Sequence, residues 1–291
     1  ERAKTHFLIG RHLEKRMSEE IKEERIFSLV NQLNYGISFL QSKEDKVELA
    51  AMNLLAAHKA RSSSAYQATI EYAKIGIALL GTDAWLENYK MTLSLHELGA
   101  EVASLVGEFD LMDKWMEDLK QNAKTILDQV PMYFVKIQSL ASQNKLPEAI
   151  KTGQLILAKF GIHFPESPTP DDFVKGMNEI SHLLGERKVE ELYYLPKMID
   201  PEKLAIMNIA ACLIPACYNA GSPLFVLVII LQVNYSIRFG NSPISCFSYV
   251  NYGILLNNIM KDVPMLDEFR KLAYRLGLEP DSKLMRSGTF T

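Results

Sequence analysis

Residues 44–81 read EDKVELAAMNLLAAHKARSSSAYQATIEYAKIGIALLG, and the fold follows from their pattern. A first helix is predicted by apolar side chains at positions i, i+3, i+4 and i+7, namely Val47, Ala50, Ala51 and Leu54. The run RSSS at 61–64 interrupts this pattern with side chains that favour turns and helix N-caps. A second apolar series then predicts a second helix: Tyr66, Ile70, Ala73, Ile77 and Leu80. We expect Gly81 to end that helix.

Neither predicted helix can bury its apolar face alone, and their hairpin keeps apolar surface for a neighbour. Two later turns have related spacing, Gly107-x-Phe109-x-x-Met112 and Asn144-x-Leu146-x-x-Ala149. This resembles a tetratricopeptide turn, at an interval slightly longer than the usual ~34 residues. No segment shows sustained two-residue alternation with turn signals. The sequence therefore predicts an all-α fold, a right-handed superhelix of antiparallel helix pairs that forms a degenerate TPR-like α-solenoid over residues 1–291.

The remaining helices are predicted between clear breaks in the pattern. One helix is expected to run past Gly36 to Leu40, and residues 82–105 are expected to form one long helix. Residues 161–170 (GIHFPESPTP) contain three prolines, which forbid a helix and mark a surface loop or a hinge between 1–160 and 171–291. The closing RSGTFT (286–291) is expected to be loose or truncated. The chain opens on ERAKTH without a methionine, so we expect a fragment of a longer polypeptide.

Composition points to a globular protein. Hydrophobic residues make up 48% of the 291 residues and charged residues 23%, with a net charge of −3 and no long basic run. Such a chain lacks the run of basic residues that would indicate nucleic-acid binding. The run LFVLVIIL (224–231) is far shorter than the ~20 residues of a membrane span and predicts a buried helix. Three cysteines in apolar contexts suggest reduced thiols and a cytoplasmic location.

No catalytic constellation stands out. The six histidines are scattered, and none has a partner at a metal-ligand spacing. Neither a glycine-rich phosphate loop nor a nucleophile elbow nor a kinase signature is visible. We therefore expect no catalytic residues, no cofactor and no metal, and no enzymatic activity in this chain.

Candidate interaction residues lie in two places in the chain, and the first place, residues 31–61, contains two pairs. Asn31 and Asn34, with Gln32 between them, lie inside an apolar helix, where amides either bond a neighbouring helix or contact a ligand. Lys59 and Arg61 border the turn of the first hairpin, where they could bind an acidic partner or the carbonyls at their own helix end.

The second place is the aromatic-rich segment 204–256. Its aromatic side chains either line the inner surface of the second half or pack in the core: Tyr235, Phe247, Tyr249 and Tyr252. If they line a surface, this segment could enclose a small-molecule pocket.

Several stretches carry a family resemblance: IGRHL (9–13), IFSLVNQLNYG (26–36), LLAAHKARSSSAY (54–66), YAKIGIALL (72–80), GTDAW (81–85), ILDQVPMYFVKIQSLASQNKLPEAIKTGQLIL (126–157), LPKMIDPEKLAIMNI (195–209), FGNSPISCFSYVNYGILL (239–256) and LDEFRKLAYRL (266–276). They resemble the helical region of very large bacterial signalling proteins. In that family a serine/threonine kinase domain precedes an AAA-like STAND ATPase, then a long tetratricopeptide-like region, and often a GAF domain and a histidine kinase. The run HKARSSS departs from the family, which more often has a glycine before Lys-Ala-Lys, so no family role passes to Lys59 or Arg61. Related arms in maltose-regulon-type activators sense a small ligand.

The resemblance implies a non-enzymatic protein-interaction and sensing arm that regulates a signalling kinase and ATPase. Its expected partners are the neighbouring kinase and ATPase domains or another signalling protein, with a small-molecule ligand as a further option. Two alternatives remain: a sensor with its pocket in 204–256, and a dimerising scaffold that joins copies through uncovered apolar faces.

Overall fold

The computed structural model describes residues 1–280, apart from the side chains of Glu19, Lys22 and Glu23. The predicted tail at 286–291 lies outside the described residues. Within them the chain is helical and contains no β-strand, since the pairing of Lys197 with Asn241 is an isolated bridge. The prediction of an all-α fold is confirmed.

The chain divides into two compact units, Glu1–Val135 and Lys136–Thr291. The helices of the first unit are α1 (Arg2–Arg16), α2 (Glu19–Glu24), α3 (Ile26–Tyr35), α4 (Lys43–Ser62), α5 (Tyr66–Leu80), α6 (Ala84–Glu87), α7 (Tyr89–Val106) and α8 (Phe109–Asn122), with a 3-10 helix at Ile37–Phe39. The boundary between the units falls inside α9 (Ile126–Ser142). The second unit continues with α10 (Leu146–Lys159), α11 (Pro170–Leu184), a 3-10 helix at Val189–Tyr194, α12 (Pro201–Asn219), α13 (Leu224–Phe239), α14 (Ser245–Met260) and α15 (Val263–Gly277).

Helices α4 and α5 form the hairpin predicted for 44–81 and pack along each other. The hydroxyl of Ser42 accepts the N–H of Asp45 at 3.0 Å and caps the start of α4. Gly81 ends α5 with φ 72°, a conformation that glycine adopts without steric cost. The predicted end of α5 at Gly81 is therefore confirmed, whereas the start of α4 at Ser42 was not predicted.

The buried face of α4 differs from the predicted one. Ala51 is exposed and Val47 and Leu54 are half-buried, whereas the fully covered positions are Leu49, Ala50, Asn53, Ala56, Ala57 and Ala60. Small alanine side chains let α4 approach its neighbours closely, and Asn53 is buried because its amide is hydrogen-bonded. A search for large apolar residues misses such a face.

Three helices end in the same turn, which Gly161 and Gly221 repeat after α10 and α12. Each turn places one residue in the left-handed region, namely Ser64, Gly107 and Asn144, with φ 58°, 81° and 59°. The N–H of the following residue then donates to a carbonyl five positions back: Ala65 to Ala60 at 2.8 Å, Glu108 to Ala103 at 2.9 Å and Lys145 to Leu140 at 2.8 Å. This is the hydrogen bond of a Schellman turn, a common way for a helix to end.

Two predicted helices are interrupted in the structure. The predicted helix at 82–105 breaks at Asn88, where φ is −127°, and so forms α6 and α7. The hydroxyl of Thr92 donates to the carbonyls of Ala84 and Asn88 and stabilises this break. The helix expected to run past Gly36 ends at Tyr35, and a short 3-10 helix follows.

The core of the first unit is formed where α3, α4, α5, α7 and α8 meet. Helix α7 lies close to α8 at Gly99, where an added Cβ atom would lie 2.6 Å from a ring carbon of Trp115. The absence of a side chain at Gly99 is thus what lets the indole ring lie against α7.

In the second unit α13 lies among α11, α12 and α14. Its run LFVLVIIL is largely buried, so the prediction of a core helix is confirmed. At the end of α13, Gly240 has φ 100°, and a Cβ atom there would lie 2.2 Å from the carbonyl oxygen of Pro196. Glycine is required because the backbone of Asn241 exchanges hydrogen bonds with Pro196 and Met198 at 2.8 and 2.9 Å.

The proline-rich segment 161–170 is irregular up to Pro170, where α11 begins. Thr169 and Asp172 form a capping box that starts this helix. The segment lies inside the second unit, where α10 and α12 on either side of it are in contact. Its role as a hinge stays a prediction.

Candidate functional site

The predicted amide cluster on α3 is bonded to neighbouring helices. Asn34 and Asn53 exchange two side-chain hydrogen bonds of 2.9 Å, and Asn53 also donates to the carbonyl of Leu49 at 2.8 Å. The Oδ1 atom of Asn31 accepts from the hydroxyl of Tyr72 at 3.0 Å. Asn34 and Asn53 therefore join α3 to α4, while Asn31 joins α3 to α5.

Lys59 and Arg61 each bind a residue of another helix. The ammonium of Lys59 donates to the carbonyl of Glu24 at 3.1 Å, at the end of α2. The guanidinium of Arg61 pairs with the carboxylate of Glu101 on α7. Both contacts are largely exposed, so an acidic partner would have to compete with Glu101 for Arg61.

The predicted aromatic residues of the second unit lie at different depths. Tyr249 is fully buried and stacks on Phe269 at 6.0 Å, and Tyr252 meets the same ring edge-on at 5.2 Å. Burial raises the pKa of both phenols far above the ordinary value, so both stay protonated. Tyr235 is half-buried and meets Phe239 edge-on at 5.1 Å.

A buried polar network connects the helices of segment 204–256. The amide of Gln232 on α13 donates to the carbonyl of Met207 at 3.2 Å and accepts from the hydroxyl of Ser248 at 3.3 Å. The hydroxyls of Ser236 and Ser245 lie 2.8 Å apart. These contacts join α12, α13 and α14 through hydrogen-bonded polar groups in the segment where the sequence predicted a pocket. A small-molecule pocket in this segment stays a prediction.

Sequence reasoning missed a group of ionisable residues in the first unit. Burial, together with the nearby charge of Asp128, raises the pKa of Glu97 to about 7. Burial of Asp128 opposes its ionisation, but hydrogen bonds from Tyr89 at 2.8 Å and from the N–H of Thr125 at 3.0 Å outweigh that effect and lower its pKa. The signal in the sequence is a carboxylate between the apolar residues of LHELGA (95–100), which places Glu97 on a covered helix face.

His96, beside Glu97, is neutral in its surroundings. Burial lowers the pKa of its imidazole, and its Nδ1–H donates to the carbonyl of Thr92 at 2.7 Å. The Nε2 atom, 4.0 Å from the carboxylate of Asp118, is then an acceptor, so this contact is not an ion pair. The ring also packs against Trp85 at 4.9 Å. These contacts fix the orientation of the buried His96 ring on α7.

The described residues contain no group of three or more histidine, cysteine, aspartate or glutamate side chains placed to hold a metal ion. Cys212 and Cys217 have pKa values raised to about 11 by burial, so their thiols are poor nucleophiles. Within residues 1–280, no helix combines the length and apolar character needed to cross a membrane.

Comparison with known proteins gives one informative similarity. The chain is 19% identical over 258 residues to hybrid signal transduction histidine kinase G of Dictyostelium discoideum. This match covers 80% of the chain but 8% of that protein, so the chain corresponds to a small part of it. No family model matches the chain. No solved structure matches it either.

Proposed function

We propose that this chain is a non-enzymatic interaction arm of a larger signal-transduction protein. The observation that supports this most is the similarity to part of a hybrid histidine kinase, which extends over 80% of the chain. An all-helical region with recurring turns suits the role, because stacked hairpins present extended surfaces to partner proteins.

The finer proposal is a degenerate TPR-like solenoid beside a serine/threonine kinase and a STAND-type ATPase. It is supported by the stretches that resemble that bacterial family and by the turns at Ser64, Gly107 and Asn144. In this proposal the arm holds a neighbouring catalytic domain in one of two states, and a bound partner shifts the balance. We also propose a cytoplasmic location, supported by three cysteines that remain free thiols.

A second candidate function is a dimerising scaffold. The observation in its favour is an exposed apolar group at the turn between α14 and α15, where Ile259, Met260 and Val263 are 46%, 63% and 62% exposed. Such a group would be covered in a symmetric dimer. Sedimentation of the chain at high concentration should show a dimer that Met260→Ser and Val263→Ser weaken, and a monomer throughout would exclude this role.

The interaction role is tested by titrating the purified chain against the kinase and ATPase domains of its parent protein. We expect saturable binding in the micromolar range and no phosphotransfer or nucleotide hydrolysis by the chain itself. Absence of binding to every neighbouring domain would reject the interaction arm. Turnover by the chain alone would reject its non-enzymatic character.

A further inference from the structure

A groove in the second unit lies between the 3-10 helix Val189–Tyr194 and α15, which pack against each other. Its volume is about 720 Å³, which is enough for a short peptide segment. The lining side chains are mostly charged: Lys188, Glu190, Glu268, Arg270, Lys271, Leu272, Tyr274 and Arg275. With one aliphatic side chain among the described lining residues, the groove suits a polar occupant.

The cations of the groove differ in how they are neutralised. Arg270 and Lys271 each reach the carboxylate of Asp267 at 2.6 Å on the same helix. Lys188 and Arg275 form no ion pair with any residue that the structure describes. Arg275 also donates to the hydroxyl of Tyr194 at 3.5 Å and is attracted by the carboxylate of Glu190, so Lys188 and Arg275 are the groove cations that no described carboxylate contacts directly.

Arg275 is held in place by aromatic rings. Its guanidinium carbon lies 4.0 Å from the ring centre of Tyr193 and 5.7 Å from that of Tyr194. The two tyrosine rings are perpendicular at 5.2 Å, and the hydroxyl of Tyr193 donates to Glu279 at 2.6 Å, which fixes the ring under the guanidinium. A guanidinium positioned in this way loses little freedom when it binds a carboxylate through two parallel N–H groups.

Two exposed tyrosines accompany this arginine. Tyr194 is 74% exposed beside Arg275, and Tyr274 is 69% exposed in the groove lining. Tyrosine and arginine are the side chains that most often dominate the energy of protein interfaces. An arginine that stacks on Tyr193 and lies beside the exposed Tyr194 thus has the composition of an interface centre.

We propose that this groove, which we call the Arg275 groove, binds a short acidic segment of a partner protein. Arg275 is the anchor for an aspartate or glutamate carboxylate, Lys188 supplies a second positive charge, and Tyr274 packs against the segment between its acidic side chains. Glu190 and Glu268 repel carboxylates placed beside them and so select the positions of the acidic residues. This inference rests on the proposed interaction role and names the surface and the chemistry of the partner.

The test uses fluorescence anisotropy with a labelled peptide, Gly-Asp-Glu-Asp-Tyr-Glu-Asp-Glu-Gly, and the purified chain. We expect micromolar binding that weakens as the salt concentration rises from about 50 to about 300 mM. A control peptide with every Asp replaced by Asn and every Glu by Gln, Gly-Asn-Gln-Asn-Tyr-Gln-Asn-Gln-Gly, should bind roughly 10-fold more weakly. It offers no side-chain carboxylate to the guanidinium. Equal binding of the two peptides would overturn the proposal.

Variants assign the binding to the groove. Arg275→Ala should weaken binding roughly 10-fold, and Arg275→Lys should weaken it less because the charge remains without the planar fork. The matched control is Arg238→Ala, which removes the same positive charge from an ion pair between Arg238 on α13 and Glu179 on α11. This variant should leave peptide binding within about 2-fold. Equal losses for Arg238→Ala and Arg275→Ala, with helicity unchanged by circular dichroism, would show non-specific attraction and overturn the proposal.

Two further outcomes separate the groove from the wider function. Complete displacement of the peptide by inorganic phosphate at about 1 mM would indicate a small-anion site and contradict the peptide site. If the chain binds a neighbouring domain of its parent equally well with Arg275→Ala, the interaction role stands and the Arg275 groove is rejected. If it binds neither the domains nor the peptide, both are rejected.

Discussion

Single residues carry the polar contacts that hold neighbouring helices in register. The Asn34–Asn53 pair is the clearest case, because Asn53 is fully buried and its amide bonds Asn34 on α3 and the carbonyl of Leu49 on α4. A buried amide contributes little while it is paired and costs much more when its partner is removed. The pair therefore specifies how α3 sits on α4.

Asn53→Ala should lower the free energy of unfolding by about 1–3 kcal/mol, since the amide of Asn34 loses both hydrogen bonds to it. The control is Asn31→Ala, an exposed position whose single side-chain bond goes to Tyr72, with an expected loss below about 1 kcal/mol. Urea denaturation measures both. The Asn34→Ala/Asn53→Ala double variant should lose less than the sum of the single losses. Strict additivity would contradict the pairing.

Glu97 gives the stability of the first unit a dependence on pH. Its pKa is about 7 in the folded chain against an ordinary value of 4.5, so the folded state binds this proton more tightly than the unfolded state. The contribution of the protonated carboxyl is complete below about pH 4.5 and is lost as the pH rises through about 7.

Glu97→Gln removes this ionisation and should stabilise the chain at about pH 8 by roughly 1–2 kcal/mol, because the carboxyl is partly exposed and the full shift is screened. Near pH 4 the variant and the natural chain should differ little. Denaturant unfolding of both proteins between about pH 4 and about pH 8 gives the difference in their free energies of unfolding at each pH. A difference that is flat with pH, or that grows toward acid, would refute the assignment to Glu97.

At the level of helices, close approach depends on positions without a side chain. An added Cβ atom at Gly99 meets the indole ring of Trp115 at 2.6 Å, and this ring cannot move aside as a flexible side chain can. The contact fixes the distance between α7 and α8.

Gly99→Ala should therefore destabilise the chain by about 1–3 kcal/mol through overpacking, more than the roughly 0.5–1 kcal/mol that alanine gains over glycine within a helix. Gly277→Ala is the matched control, since no heavy atom lies within 4 Å of its added Cβ atom, and it should be neutral or slightly stabilising. Thermal unfolding distinguishes the two. Stabilisation by Gly99→Ala would show that α7 and α8 are not in close contact.

The sequence predicted helices best where local chemistry ends them. Gly81, Gly107 and Asn144 fall at turns because left-handed backbone favours glycine and asparagine, and each ends a helix as expected. The break at Asn88 escaped prediction because the hydroxyl of Thr92 stabilises it from the next helix. The face of α4 was misjudged because Asn53 is buried through its paired amide, while Ala51, which was counted as an apolar position, is exposed.

The contacts around possible sites were less predictable than the helices. Glu97 and Asp128 stand on α7 and α9, and Lys188 and Arg275 stand on either side of a groove that only tertiary packing creates. No local pattern marks such pairs. The candidate interaction residues were chosen by residue type, and their contacts place Asn34, Tyr249 and Tyr252 within the packing of their own units.

The whole chain consists of two compact units whose boundary lies within α9. A proline-rich segment interrupts helices, but a compact unit is defined by which helices bury each other's faces. Contact between α10 and α12 keeps 161–170 inside the second unit. Similarity to a small part of a signalling protein extends over 80% of this chain and supports a role for it in a larger molecule.

The most direct test of that role is the autophosphorylation rate of the full-length parent protein, measured with and without the region that contains these two units. We predict that removing the region changes the rate several-fold in either direction, and that adding the purified chain in trans moves it back toward the original value. An unchanged rate, together with no effect of the chain in trans, would contradict an interaction arm that regulates its parent.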